Sequence, residues 1–145
     1  MENTKYAGKL VFLYASEYTV TGGVYKLVAC ITDLSLSRSK TEIDASSKCG
    51  QDFLIGNDED ECTATIFRLV GNAEAGTIGI RELEAAVFDT GLTVDWKIAD
   101  DLVSPVYEDI EFSGKIFTDD SSWNTEDPAS TDITIKIIGG VTYNL

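Results

Sequence analysis

The sequence predicts a mainly β domain, either a β-sandwich or a rolled sheet, with one flanking α-helix and a long hairpin arm. Three observations predict this. Several short segments alternate apolar and polar residues with the period of two that is typical of strands. A single segment has the helical period, and one long stretch between strands is polar. At 145 residues the chain fits a single domain, 1–145, in which residues 38–61 form the projecting arm.

The N-terminal third predicts a hairpin that leads into the arm. Residues 10–14 and 24–31 are mostly apolar, with Gly22-Gly23 directly before the second run, which is typical of two paired strands. From residue 34 onward, leucines and then charged residues alternate with serine and threonine. Only the start of this stretch can therefore pack on a core. The arm returns as a strand at 63–69.

One segment has the spacing of a helix. Ile80, Leu83 and Val87 recur at i, i+3 and i+7, which places them on one face. We expect Thr77 to cap its N-terminus and Gly91 to end it.

Three later segments alternate clearly enough to be strands. They cover residues 92–98, 110–116 and 132–137, and each has one apolar and one polar side. Gly114 is expected at a bulge or a close backbone contact. Residues 118–130 are polar and carry Trp123, which we expect either to cap an edge of the core or to anchor an interface.

Composition excludes several classes of function. Lys and Arg number 11 and Asp and Glu 25, giving a formal charge of −14 with no histidine. This balance argues against tight wrapping by nucleic acid, which needs many basic side chains. The apolar run near the N-terminus is too short for a signal peptide or a membrane span. We therefore expect synthesis in the cytoplasm and no membrane partner.

No catalytic or cofactor site is expected. The chain has no histidine to act as a base, no phosphate loop and no dinucleotide motif. The acidic runs 57–61 and Asp119-Asp120 lack calcium-loop spacing, so we expect solvated loops. Cys30, Cys49 and Cys62 are expected to be free thiols, with a Cys49–Cys62 bridge as the alternative. These observations predict a protein that is not an enzyme and has no cofactor.

Several motifs resemble the tail tube (major tail) proteins of bacteriophages. Residues 28–37, with Leu34-Ser35-Leu36, and the following Glu42-Ile43-Asp44 are similar to the early hairpin of that family. The helical segment 81–91, the strand around Gly114 and the C-terminal segment 130–140 are also similar and occur in the same order. The resemblance covers most of the chain.

The resemblance implies a structural protein of the virion. Six subunits would form a ring, rings would stack into a tube, and inner sheets would join edge to edge around a lumen through which DNA passes without tight binding. The implied partners are further copies of the chain and other tail components, such as tape measure, tail tip and terminator proteins. The implied place of assembly is the cytoplasm of the host bacterium.

Two groups of residues follow as candidate sites. Heterologous edges close into rings when the rotation between subunits divides a full turn. The arm is too long, and too apolar at residues 53–55, to be left exposed to solvent. We expect the arm to contact the next ring through Arg38, Lys40, Glu42, Ile43, Asp44, Lys48, Phe53, Leu54 and Ile55. An acidic lumen would repel DNA and keep it moving; its candidate acids are Asp95, Glu111, Asp132, Asp58, Glu59, Asp119 and Asp120.

A secreted carbohydrate-binding or adhesion module is the alternative function. Small acidic β-sandwiches with surface aromatics, here Trp123, are common in that class. The absence of a recognisable secretion signal and the odd number of cysteines argue against it. An enzyme with acidic active-site residues ranks third.

Overall fold

A computed structural model describes residues 5, 7–16, 25–44, 53–69 and 76–144, with the backbone alone for residue 9 and for residues 41–44 and 53–58. A short 3₁₀ turn (Gly8–Leu10) precedes the first strand. The helix α1 (Ile80–Leu83) continues as a π-helical segment (Glu84–Phe88). The strands are β1 (Phe12–Ser16), β2 (Tyr25–Val28), β3 (Ile31–Ser37), β4 (Lys40–Asp44), β5 (Phe53–Asp58), β6 (Glu61–Phe67), β7 (Thr77–Ile78), β8 (Val94–Ala99), β9 (Asp109–Ser122) and β10 (Ser130–Tyr143).

Eight of these strands form one curled sheet in the order β3-β6-β10-β9-β8-β1-β2-β7, while β4 and β5 pair separately. The mainly β prediction is confirmed, and the described strands take the rolled-sheet form. All pairings are antiparallel except β2 with β7. The curl brings β3 towards β1 and β2, and a groove of about 490 Å³ lies between them, lined by residues that include Val11, Leu13, Val28 and Ile31.

One face of the sheet forms the core. The apolar positions of the alternating strands are buried there, and Trp96, Ile66 and Ile135 are fully covered. Burying such a side chain contributes about 1.5–3 kcal/mol. Ile80 and Leu83 of α1, together with Val87, pack into the same cluster. The predicted apolar face of the helix is therefore confirmed.

The N-terminus of the helix differs from the prediction. Gly79 occupies the N-cap position, and Thr77 lies in β7, because its backbone pairs with Leu27. The second half widens into π geometry, in which the Asp89 N–H donates to the Glu84 carbonyl at 2.9 Å. Gly91 follows with a φ of 67°, a left-handed conformation that favours glycine. The predicted end of the helix is correct.

Two strand boundaries also differ. The run 24–31 is interrupted, because β2 ends at Val28 and a turn at Ala29 and Cys30 leads into β3. Cys30 adopts a φ of 62°, which breaks strand pairing. The polar segment after residue 117 was expected to be a loop, yet β9 runs to Ser122 because the partner strand β10 continues to pair with it after a bulge. Pairing across the sheet overrides polarity there.

Gly114 is a close-contact point, as predicted. A Cβ at this position would lie 2.6 Å from the Lys136 carbonyl oxygen and 2.8 Å from Ile135 Cγ2. The Gly114 carbonyl also accepts a hydrogen bond from Trp96 Nε1 at 3.2 Å. The close approach of β9 and β10 therefore requires glycine and positions the core tryptophan.

Candidate assembly surfaces

The face of the sheet opposite the core is polar and mostly acidic. It is formed by the residues that alternate with the buried ones on four neighbouring strands. Among the described residues of these strands it carries six carboxylates and three lysines, a net of three negative charges. They are Glu61, Asp95, Asp109, Glu111, Asp120 and Asp132, and Lys97, Lys115 and Lys136.

Several of these acids are neutralised locally. Lys97 Nζ lies 3.2 Å from Asp109 Oδ1 and 3.4 Å from Glu111 Oε1, and Lys136 pairs with Glu61. Burial and the nearby carboxylates, Glu111 first, raise the pKa of Tyr25 to about 12. The Ser113 hydroxyl donates to Asp95 at 2.5 Å, and the Thr65 hydroxyl donates to Asp132 at 2.7 Å. The face is thus an ordered network with an excess of negative charge.

The adjacent acids Asp119 and Asp120 lie on opposite faces. Asp120 is paired in register with Asp132 and is exposed on the polar face. Asp119 is opposite the buried Ile133, on the face that the helix covers. A strand sends successive side chains to opposite sides, so these two residues cannot share a surface. The candidate set of seven acids therefore does not form one patch.

Asp119 belongs to a charged cluster between the sheet and the helix. Arg68 donates hydrogen bonds to Glu84 Oε1 at 2.8 Å, Thr131 Oγ1 at 2.7 Å and Ser121 Oγ at 3.1 Å. Asp119 Oδ1 is buried without a hydrogen-bond partner among the described residues. Burial and the neighbouring Glu84 carboxyl raise the pKa of Asp119 to about 6. Burial raises the pKa of Glu84, but hydrogen bonding to Arg68 and Asp119 and the positive charges of Arg68 and Arg81 together outweigh it and leave that pKa below its ordinary value.

Trp123 covers this cluster from outside. The Arg68 guanidinium carbon lies 5.3 Å from the centre of the indole ring, within the range of a cation–π contact. The side chain is 69% exposed, so it does not pack in the core. Its part in an interface stays a prediction.

The base of the arm is tied to the sheet. β4 and β5 pair as an antiparallel hairpin, with Ile43 opposite Leu54 in the backbone register. The Arg38 Nε lies 3.3 Å from Asp60 Oδ2, and the Asp60 carbonyl accepts the Ile137 N–H at 3.1 Å. Asp60 is 4% exposed. The expectation that residues 57–61 form a solvated loop is therefore wrong. Residues 57 and 58 lie in β5 and residue 61 lies in β6, and Asp60 is buried because its ion pair with Arg38 compensates the burial.

Beyond its base, the arm is described by its backbone at residues 41–44 and 53–58. Lys40 is exposed and pairs through its backbone with Asp58, and Glu59 is exposed with its N–H donating to the Ser39 carbonyl at 2.7 Å. Lys48 lies outside the described residues. So do the side chains of Glu42, Ile43, Asp44, Phe53, Leu54, Ile55 and Asp58. Their contact with a second ring stays a prediction.

The loop between β8 and β9 is a surface that the sequence did not indicate. Asp100 accepts backbone hydrogen bonds from Val106, Tyr107 and Glu108 at 3.0–3.3 Å, and the Asp101 carboxylate accepts the Val103 N–H at 3.1 Å. The loop is therefore ordered, while Val103 and Val106 are 88% and 79% exposed. The turn-forming residues Asp100-Asp101 and Ser104-Pro105 could have indicated an ordered loop here.

Exposed apolar side chains concentrate near this loop. Phe12 pairs with Ala99, Ala99 pairs with Asp109, and Asp109 accepts the Asn144 N–H at 2.9 Å, which defines one end of the sheet. Of ten large exposed apolar side chains in the described part of the chain, six lie at or next to this end. They are Leu10, Phe12, Val103, Val106, Tyr107 and Tyr143.

The two cysteines that the structure describes are free thiols. Cys62 is a free thiol that is fully buried in the core, and burial raises its pKa to about 12. Cys30 is free and exposed, and Cys49 lies outside the described residues. A bridge from Cys62 to Cys49 is therefore not formed.

Within the ranges that the structure describes, no three His, Cys, Asp or Glu side chains are grouped so that they could hold a metal ion. Among these residues no helix is long and apolar enough to cross a bilayer.

Comparison with solved structures identifies the fold as that of tail tube proteins. The tail of an empty gene transfer agent particle, refined with C6 symmetry, matches with a TM-score of 0.71 and 14% identity over 97% of this chain and all of the other. The SPP1 tail tube matches with a TM-score of 0.74 and 17% identity over 95% and 78%. A sheath/tube terminator structure of the extracellular contractile injection system PVC matches with a TM-score of 0.66 and 12% identity over 99% of both chains. No protein-family model and no curated protein matches the sequence.

Proposed function

We propose that the chain is a structural, non-catalytic tail tube subunit that assembles with copies of itself. The observation that carries this is the match of almost the whole chain to tubes of three kinds of particle, from a gene transfer agent, the SPP1 tail and a contractile injection system. The match includes the rolled sheet and leaves no large part of the chain for another activity. Virion tails are the setting of the first two.

We further propose that six copies form each ring. The gene transfer agent tail has C6 symmetry, and among the described strands β3 lies at an edge of the sheet. Free edges normally invite pairing with other chains. In a closed ring the pairing of edges is satisfied by neighbouring copies, which limits aggregation.

The polar face is the proposed lining of the lumen. Asp95, Glu111, Asp120 and Asp132 share it, and its negative excess would weaken phosphate contacts as DNA is ejected. Asp119 is excluded from the lining by its position under the helix. Tape measure, tail tip and terminator proteins are the proposed further partners, and assembly is proposed to occur in the host cytoplasm.

Electron microscopy of the purified protein tests the central proposal. We expect rings or tubes about as wide as other tail tubes when the protein is concentrated, and sixfold class averages in end views. Only discrete monomers at every concentration, with or without seeding by tail tip complexes, would contradict the proposed function.

A variant tests the arm separately. Replacing residues 41–58 by a short Gly-Asn turn keeps Arg38 and Asp60, so the anchored base remains. We expect the variant to fold and to form rings that stack into tubes only at a much higher protein concentration than those of the wild type. Tubes of normal length at the wild-type concentration would show that the arm is not an inter-ring contact.

A charge variant tests the lumen. Changing Asp95, Asp120 and Asp132 together to lysine should slow DNA ejection at low salt, where repulsion and attraction are least screened. The matched control changes Glu82, Glu126 and Asp127, which lie outside this face, to lysine. Equal ejection rates for the two variants would remove the electrostatic role of the polar face.

A further inference from the structure

The longest strands of the sheet separate two exposed apolar surfaces. β9 has 14 residues, so at about 3.3 Å per residue its ends are about 40 Å apart along the strand. The loop with Val103 and Val106 precedes its first residue. Trp123 directly follows the last residue of β9, at the start of the loop that leads into β10.

Both surfaces are held in place before any contact is made. Asp100 and Asp101 fix the backbone of the loop, and Arg68 fixes the face of Trp123, since its guanidinium also bonds to Glu84 and Thr131. Preorganised groups lose little conformational entropy when they bind. Exposed aromatic and aliphatic groups held rigidly are typical of interface anchors.

The arrangement favours a second copy as the occupant. The two apolar surfaces lie at opposite ends of one strand, so a contact between unlike ends repeats along the strand direction without closing. A contact between two like ends would leave the other apolar surface uncovered. A small contact of this kind becomes effective when a ring repeats it several times.

We propose that the Trp123 surface of one copy docks on the Val103–Val106 loop of a copy in the next ring. The proposal rests on the proposed tube function and adds a second inter-ring contact, independent of the arm. Copies of β9 in successive rings are then arranged head to tail. The axial distance between neighbouring rings cannot greatly exceed the length of β9.

Site-specific crosslinking tests the contact. One protein carries Val106→Cys and another carries Trp123→Cys, both with Cys30 and Cys49 changed to alanine and the buried Cys62 retained. The two are mixed, assembled and treated with a bismaleimide that spans about 10 Å, well short of the roughly 40 Å between the two positions in one copy. We expect a covalent dimer from the mixture and none from either protein alone. Tubes that give no dimer in the mixture, or an equal yield from one protein alone, would overturn the contact.

A second measurement separates this inference from the proposed function. In Val103→Ser/Val106→Ser we expect the concentration needed for tubes to rise at least about tenfold, while rings persist. The matched control is Ile138→Ser, an aliphatic side chain that is 49% exposed away from both ends, and it should change that concentration less than twofold. If wild type forms no tubes, the tube function is wrong. If wild type and the double variant form them equally well, the function stands and the contact is wrong.

Discussion

The two faces of the rolled sheet use the same strands in different ways. On the core face, Trp96 and Ile135 are completely buried and belong to the same apolar cluster as the helix. On the polar face, Lys97 and Asp132 form ion pairs or hydrogen bonds at the surface of the protein. Stability therefore depends mainly on the core face, and the polar face can change its charge at a small cost in stability.

The two tryptophans should differ most. Trp96→Ala removes a buried side chain and its hydrogen bond to Gly114, and we expect a loss of about 3–5 kcal/mol in the free energy of unfolding. Trp123→Ala should change it by less than about 0.5 kcal/mol, because the ring is largely exposed. Urea denaturation measures both. Similar losses would mean that Trp123 has a core role.

A methyl group tests the close approach of β9 and β10. Gly114→Ala places a Cβ against the backbone of Lys136, and we expect a loss of about 2–3 kcal/mol from overpacking. Gly8→Ala is the control, because nothing lies within 4 Å of its Cβ position. Thermal denaturation of the two variants should separate them clearly. Equal melting temperatures would place the close contact in doubt.

The cluster under the helix should make stability depend on pH. The folded pKa of Asp119, about 6, lies above its ordinary value of 3.8, so the folded state binds this proton more tightly. Its contribution to stability therefore grows as pH falls through 6 and is complete below 3.8. Glu84 acts in the opposite direction, since its pKa is lowered and its contribution is lost as pH falls below about 4.5.

Asp119→Asn should abolish the increase in the free energy of unfolding that the wild type shows as pH falls from 7 to 4.5. We expect the variant to be more stable than wild type by on the order of 1 kcal/mol at pH 8, because an ionised carboxylate no longer lies under the helix. Asp120→Asn, on the polar face, should keep the rise in stability but make it slightly smaller, because the charge of Asp120 is a minor cause of the raised pKa of Asp119. The profile is measured by urea denaturation at each pH, and a wild-type profile in Asp119→Asn would contradict the assignment.

The smallest effect is expected on the polar face. Lys97→Met keeps the aliphatic stem but leaves Asp109 and Glu111 without their cation. We expect the free energy of unfolding to fall by about 0.5–1 kcal/mol at moderate salt and by more at low salt. A loss near that of Trp96→Ala would show that this face is part of the structural core.

Alternation along the chain predicted the strands but not their ends. The apolar positions of β8, β9 and β10 and of the helix were placed correctly because a period of two or 3.6 directly reflects which side is buried. The extension of β9 to Ser122 was missed, since it depends on pairing with β10 and on the bulge at Phe117. The turn at Cys30 was missed because a left-handed cysteine leaves no pattern in the sequence.

The candidate surfaces were predictable in kind but not in detail. The acids of the polar face follow from alternation, but the separation of Asp119 from Asp120 depends on register. The ion pair that compensates the burial of Asp60 joins it to Arg38, 22 positions earlier in the chain. The ordered loop around Asp100 depends on a carboxylate bonding to backbone groups six to eight residues away. Contacts of this range have no periodic signature.

The order of strands in the sheet has a consequence for the timing of folding. β1 pairs with β8, and among the described strands β3 and β6 join the sheet only through β10, which follows both of them in the chain. Such distant pairings slow folding, because the loop must close before the contact can form. A nascent chain in which β10 has not yet been synthesised therefore lacks the centre of its sheet. Synthesis of β10 has to be complete before the eight described strands can form one sheet.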